Sequence, residues 1–129
     1  LGDRIRTLAD AEDVGAFVLR EPAPMEEAAW TDLLARAAAG DRLDALVARM
    51  VGVGEWSLAA LESATRALAT ELGVKLGEVI APARIALTGR TAAPGIFDVM
   101  WLLGRERVVT RLTAAAARWR AESPLAARV

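Results

Sequence analysis

The stretch Pro82-Ala83-Arg84-Ile85-Ala86-Leu87-Thr88-Gly89-Arg90-Thr91-Ala92-Ala93-Pro94-Gly95-Ile96-Phe97-Asp98-Val99-Met100-Trp101-Leu102-Leu103-Gly104 decides the fold class. Its opening continues the helical spacing that begins at Gly77, and Pro82 inside that segment predicts a break near Ala81. Thr88 to Gly95 holds two glycines and a proline and reads as a loop. Pro94 suits the start of a helix, since a first-turn N–H has no intrahelical partner to lose. Ile96 to Leu103 is then a short apolar helix that Gly104 ends. A helix, a stiffened loop and a second helix follow one another, with no period-two alternation anywhere in between.

The same signals recur outward from this stretch. Downstream, a long helix is expected from about Glu106 to Ala121, before Ser123-Pro124. Upstream, Ser57 is a good N-cap for a helix through Leu61, Leu68 and Leu72, with Trp56 placed to staple onto Leu61 and Gly73 as the stop. Asp41 is expected to cap a helix carrying Leu43, Leu46, Val47 and Met50, ended by Gly52 and Gly54. The helix before it starts after Pro24, runs through Trp30, Leu33, Leu34 and Ala37, and is expected to end at Gly40. Glu26-Glu27 suits its first turn, where the dipole favours anions. Thr7 opens the first helix, with Leu8, Ala11, Val14, Phe17 and Val18 on one face. Glu21-Pro22-Ala23-Pro24 stops it, because residues before proline avoid the helical region. These readings predict an all-α fold, an irregular bundle of about seven helices. They divide the chain into residues 1–21, a proline-rich connector at 22–24, and a helical unit over 25–129.

Composition narrows the chemistry. The 129 residues contain no cysteine and no histidine. Disulfides, thiolate metal sites, a cysteine nucleophile and any Ser-His-Asp arrangement are therefore excluded. The acidic stretches do not match a calcium loop, so no metal is expected. Gly52-x-Gly54 opens no helix after a strand and reads as a helix stop rather than a dinucleotide fingerprint. No apolar run approaches a membrane span and no signal peptide is visible, so a soluble, cytoplasmic domain with no membrane partner is expected. The chain starts at Leu1 rather than methionine, and a segment of a longer polypeptide is expected.

The net charge of −1 conceals an asymmetry. Residues 1–83 carry 8 basic and 14 acidic side chains, while residues 84–129 carry 8 basic and 3 acidic ones. A basic final third suggests an anionic partner such as nucleic acid, or else solvated arginine-rich helix faces. Core packing is the expected role of Trp30, Trp56 and Trp101, and Trp119, between Arg118 and Arg120, is left open. Arg84, in an apolar run, also has two readings. It presents a fixed fork of donors to a base edge or phosphate, or it bonds helix-end carbonyls within the fold. The loop after it, with Gly89, Arg90, Thr91, Pro94 and Gly95, allows close approach of a ligand.

From Pro82 to Thr91, from Pro94 to Val99 (Pro-Gly-Ile-Phe-Asp-Val) and from Leu102 to Arg107 (Leu-Leu-Gly-Arg-Glu-Arg), the chain resembles the C-terminal anticodon-binding region of bacterial glutamyl-tRNA synthetases. Arg4-Ile5-Arg6-Thr7-Leu8, Leu61-Glu62, Arg66-Ala67-Leu68-Ala69 and Glu71 to Gly77 also resemble that family, so the likeness extends over essentially the whole chain. The resemblance implies a pair of all-α subdomains, with residues 1–21 ending the first. It implies that Arg84 reads the third anticodon base, that Pro94 and Ile96 line the pocket for the second and third bases, and that Arg66 and Arg90 lie on the anticodon side. Arg4 resembles the arginine that meets the first base and helps to discriminate against glutamine tRNAs. Ala93 departs from the family, in which serine or threonine offers a hydroxyl to a base.

The resemblance further implies a parent glutamate–tRNA ligase that uses ATP and magnesium. A chain without histidine and with one lysine lacks that enzyme's His-containing signature and its lysine-rich loop, so no catalytic residue and no cofactor are expected here. The expected partners are the anticodon loop of the glutamate tRNA and the catalytic half of the same synthetase. The alternative expectation is a helical protein–protein interaction module with a basic C-terminal face.

Overall fold

The computed structural model describes residue 16, residues 18–92 and residues 95–126. Five α-helices run through them: α1 (Glu27–Leu34), α2 (Ala39–Gly52), α3 (Leu58–Leu72), α4 (Leu76–Thr88) and α5 (Ile96–Glu122). There is no strand among the described residues, so the all-α expectation holds. The count of about seven helices does not. The two helices expected on either side of Gly104 are two segments counted as one element, α5, which kinks at Gly104 (φ 84°, ψ 161°), so the expected interruption there is present. The helix expected after Thr7 falls almost entirely outside the described residues.

Long α5 is the spine of the bundle. It packs most extensively on α2, then on α4 and α3, and touches α1. Its first segment buries Ile96, Val99, Met100 and Leu103, and its second buries Val108, Leu112, Ala115, Ala116 and Trp119. Leu43, Leu46 and Met50 of α2, Leu61 of α3, and Ile85 and Leu87 of α4 complete the fully buried centre. Each helix presents these residues at three- and four-residue spacing, so one stripe per helix is removed from water.

Ser57 caps α3 as expected, its Oγ accepting from the Ala60 N–H at 3.2 Å, and Gly73 ends the helix in the left-handed region at φ 70°. Three other local expectations are corrected. The helix α4 runs through Pro82 without a break near Ala81. A proline costs a helix interior one N–H bond and a steric adjustment, and here its ring is buried in the core. Gly40 does not end a helix. It lies inside α2, and Ala38 takes the left-handed turn before it at φ 63°. The reason is packing: a β-carbon at Gly40 would stand 2.9 Å from Cε3 of Trp119. Asp41, expected as the cap, sits in the first turn of α2 and pairs with Arg120 at 2.9 Å.

The tryptophans divide differently from expectation. Trp30 and Trp119 are buried, and Trp56 is half-buried with its indole N–H donating to the Met100 carbonyl at 3.2 Å. Trp101, expected in the core, is 55% exposed. The inward stripe of α5 at Ile96, Val99, Met100 and Leu103 leaves position 101 on the opposite side of the helix.

Candidate nucleic-acid interface

The end of α4 and the loop behind it are held by backbone as much as by side chains. Gly89 takes φ 72° and closes α4 through its N–H to the Ile85 carbonyl at 2.8 Å. Its own carbonyl accepts from the Glu26 N–H at 2.9 Å. A β-carbon at Gly89 would fall 2.2 Å from the Pro24 oxygen, so glycine is required here both by conformation and by the approach of the connector. Thr88, buried, donates its hydroxyl to the Arg84 carbonyl at 2.7 Å and accepts from the Arg90 N–H at 3.1 Å. Thus Arg84 and Arg90 flank one hydroxyl, and the proline-rich connector backs the turn between them.

Arg84 itself is half-buried on α4. Its Nε lies out of contact with water and has no hydrogen-bond partner. Arg90 is engaged with Glu26, Nε to Oε2 at 3.4 Å. Arg66 is exposed on α3 and pairs with Glu62 one turn away at 2.8 Å. Ile96, the first residue of α5, is 3% exposed, so its side chain belongs to the core beneath the loop. Ala93, Pro94 and Arg4 lie outside the described residues. The structure therefore joins Arg84 and Arg90 through Thr88, and it shows no such link to Arg66.

Helix-end carbonyls do have arginine partners, but these come from α5. Arg105 donates to the carbonyls of Met50, Val51 and Gly54 at 2.7, 3.2 and 3.0 Å, closing the C-terminus of α2 while stacking on Trp56 at 5.1 Å. Arg111, 5% exposed, donates to the Leu87 carbonyl at 2.9 Å and so closes α4. Cations suit these ends, where carbonyls lack partners and the dipole is negative. Residue composition alone did not single out Arg111. The available signal was its position between Val108 and Leu112, on an otherwise apolar stripe.

The charge asymmetry along the sequence is largely consumed inside the fold. Arg90 faces Glu26, Arg107 and Arg111 face Glu21, and Arg120 reaches both Asp41 and Asp44. Arg118 lies over the Trp30 ring at 4.0 Å and pairs with Glu122 at 2.9 Å, and Trp30 Nε1 donates to the same carboxylate at 2.7 Å. The Arg118 and Trp30 donors together hold the Glu122 carboxyl below its ordinary value. Hydrogen bonding to Asp41 chiefly raises the already high value of Arg120.

Comparison with known families gives the setting for this site. The family model described as an anticodon binding domain matches residues 1–116. The chain belongs to the anticodon binding domain family. A glutamate–tRNA ligase from Moorella thermoacetica is 38% identical over 117 residues, covering 91% of the domain and 24% of that protein. Glutamate–tRNA ligase 1 from Beijerinckia indica is 42% identical over 112 residues, 87% of the domain and 24% of its own length. The domain thus spans about a quarter of the length of these curated relatives. Its fold is similar to a glutamate tRNA ligase from Elizabethkingia meningosepticum, whose crystal structure holds its amino acid. The TM-score is 0.72 at 21% identity, over 84% of the domain and 21% of that chain. The domain's described helices include none long and apolar enough to cross a membrane.

Proposed function

We propose that the domain reads the anticodon of a glutamate tRNA as the C-terminal part of a cytoplasmic glutamate–tRNA ligase. The observation that carries this reading is Arg84: a guanidinium on the last turns of α4, half-buried, with a sheltered Nε that no described residue satisfies. An unpaired donor in such a place costs free energy until a ligand supplies an acceptor. The O2 and N3 atoms of a splayed-out cytosine are acceptors of that kind, and single-stranded RNA loops are read through such edges. In this reading Arg84 bonds the third anticodon base. Pro94 and Ile96 shape the pocket for the second and third bases, with Ile96 acting from below as packing. Arg90 and Arg66 lie toward the loop's phosphates, and Arg4, in the preceding subdomain over residues 1–21, meets the first base. Ala93 offers no hydroxyl, so recognition at the second base falls to backbone groups. The connector at 22–24 joins the two subdomains, and ATP with magnesium would act in the catalytic half, outside this chain.

The competing idea, a basic face that docks an acidic protein, loses its support in the ion pairs above. Arg90, Arg107, Arg111, Arg118 and Arg120 are already matched by this chain's own carboxylates. The same pairing means that long-range steering of phosphate is modest and specificity must come from close contacts. A titration with a glutamate-tRNA anticodon stem-loop, and with a copy altered at the third anticodon base, tests the proposal. Tighter binding of the unaltered loop is expected. Equal binding of the two loops sinks it.

A further inference from the structure

The search for unassigned chemistry leads to Arg111. Its side chain is 4% exposed, yet it carries a full charge in the middle of the bundle. One nitrogen donates to the Val18 carbonyl at 2.6 Å and to the Leu87 carbonyl at 2.9 Å. The other donates to the Arg20 carbonyl at 3.0 Å and lies 3.4 Å from the Glu21 carboxylate. A single guanidinium therefore joins three pieces of chain: the segment entering the domain, the C-terminal turn of α4, and α5. Leu87 is three residues beyond Arg84, within one helical turn. The planar fork is what makes this possible, because a lysine ammonium presents no fixed pair of donor nitrogens.

From this geometry we infer that Arg111 is a positioning residue for base reading. Through the Val18, Arg20 and Leu87 carbonyls it fixes the segment entering the domain against the helix end that carries Arg84. The inference rests on the anticodon reading proposed above. It makes third-base reading by Arg84 depend on a residue that touches no base. The Glu26 N–H bond to the Gly89 carbonyl lies on the far side of the two prolines, and before them Arg111 holds Val18 to Glu21 together with the Arg107–Glu21 pair and the burial of Val18.

The test compares the chain with its Arg111→Lys variant by amide hydrogen exchange and by titration with the cognate and third-base-altered stem-loops. The expected result is exchange faster by about tenfold at the Gly89 amide, which closes α4 on the Ile85 carbonyl, with α3 unchanged. A loss of about tenfold in the ratio of cognate to altered binding accompanies it. A merely stabilising arginine would leave that ratio intact in protein that circular dichroism shows to be folded. If Arg111→Lys fails to fold, Glu21→Ala, which frees one side of the guanidinium and exposes no carbonyl, carries both readouts with smaller changes in the same direction. Unchanged discrimination in a folded variant, beside a discriminating parent chain, overturns the inference. A parent chain that does not discriminate overturns the anticodon reading instead. The clamp is then judged on exchange alone, where unaltered protection at the Gly89 amide overturns it and lost protection supports it.

Discussion

Gly40 lies against the ring of Trp119, so closely that a β-carbon at position 40 would stand 2.9 Å from Cε3. The glycine is the hole into which the indole of α5 fits, and the Trp119 N–H then reaches the Leu33 carbonyl at 3.0 Å. Gly40→Ala gains about 1 kcal/mol of helix propensity. It loses about 1–3 kcal/mol to overpacking, so a net loss of stability is expected. Gly52, in the same helix with open space around it, provides the contrast, and Gly52→Ala is expected to be neutral or stabilising by up to about 1 kcal/mol. Urea unfolding of the two variants checks both signs.

Gly89→Ala meets two obstacles at once, φ 72° and the Pro24 oxygen at 2.2 Å, and the neighbour is backbone rather than a side chain able to swing away. A loss of about 2 kcal/mol or more is expected. Because the connector would have to lift, the Glu26 amide, which donates to the Gly89 carbonyl, should exchange faster. A variant as stable as the parent chain would contradict this account of the turn.

Arg84→Ala is expected to leave the fold intact, since no described residue bonds its buried Nε. Circular dichroism and thermal unfolding should match the parent chain. Discrimination at the third anticodon base should fall by about tenfold or more, the worth of one or more hydrogen bonds to a buried edge. An unfolded variant would return Arg84 to the structural role held by Arg105 and Arg111.

Trp101 and Trp119 make a paired test of burial. Trp101→Ala is expected to change stability by no more than about 0.5 kcal/mol, because the ring is 55% exposed. Trp119→Ala is expected to cost about 3–5 kcal/mol, through the cavity left in the core. Chemical denaturation of each variant decides the point.

The sign of the Glu122 effect follows from its partners. The bonds from Arg118 and Trp30 lower its carboxyl in the folded chain. Stability from this carboxylate is therefore complete above about pH 5, where a free glutamate is ionised. It is lost as the pH falls through the depressed folded value. The indole N–H resonance of Trp30 should hold steady from neutral pH down to that region and shift below it. A shift already complete near neutral pH would refute the assignment.

The helical class, the Ser57 cap, the stop at Gly73, the loop at Gly89 and the interruption at Gly104 were all legible in the sequence. They depend on local chemistry: a hydroxyl near free N–H groups, or a residue able to take positive φ. The failures share a different cause. Gly40 and Pro82 looked like punctuation, but their roles depend on what packs on them from elsewhere in the chain. Trp101 looked like core because its neighbours are apolar, while the stripe that turns inward is set by α2 and α4. At the candidate interface, Arg84 stood out in the sequence as a charge in an apolar run and the likeness to a known family gave it an expected role, whereas Thr88 and Arg111 emerged only from three-dimensional contacts. Arg111 stands on a buried stripe, and the carbonyls of Val18, Arg20 and Leu87 with the Glu21 carboxylate explain why a charge is tolerated there.

The ties made by α5 also bear on the order of assembly during synthesis. Arg111 reaches Val18 across 93 residues, the Glu122 carboxylate meets Trp30 across 92, and Arg120 meets Asp41 across 79. Until the last helix leaves the ribosome, the acidic first two-thirds of the chain lacks the cations that neutralise it and the ridge that covers the apolar faces of α2 and α4. Such distant closures slow folding relative to a bundle of neighbouring hairpins. The finished bundle is thus assembled late, so a chain truncated before Arg105 would have separate helices to offer but no surface on which to arrange them.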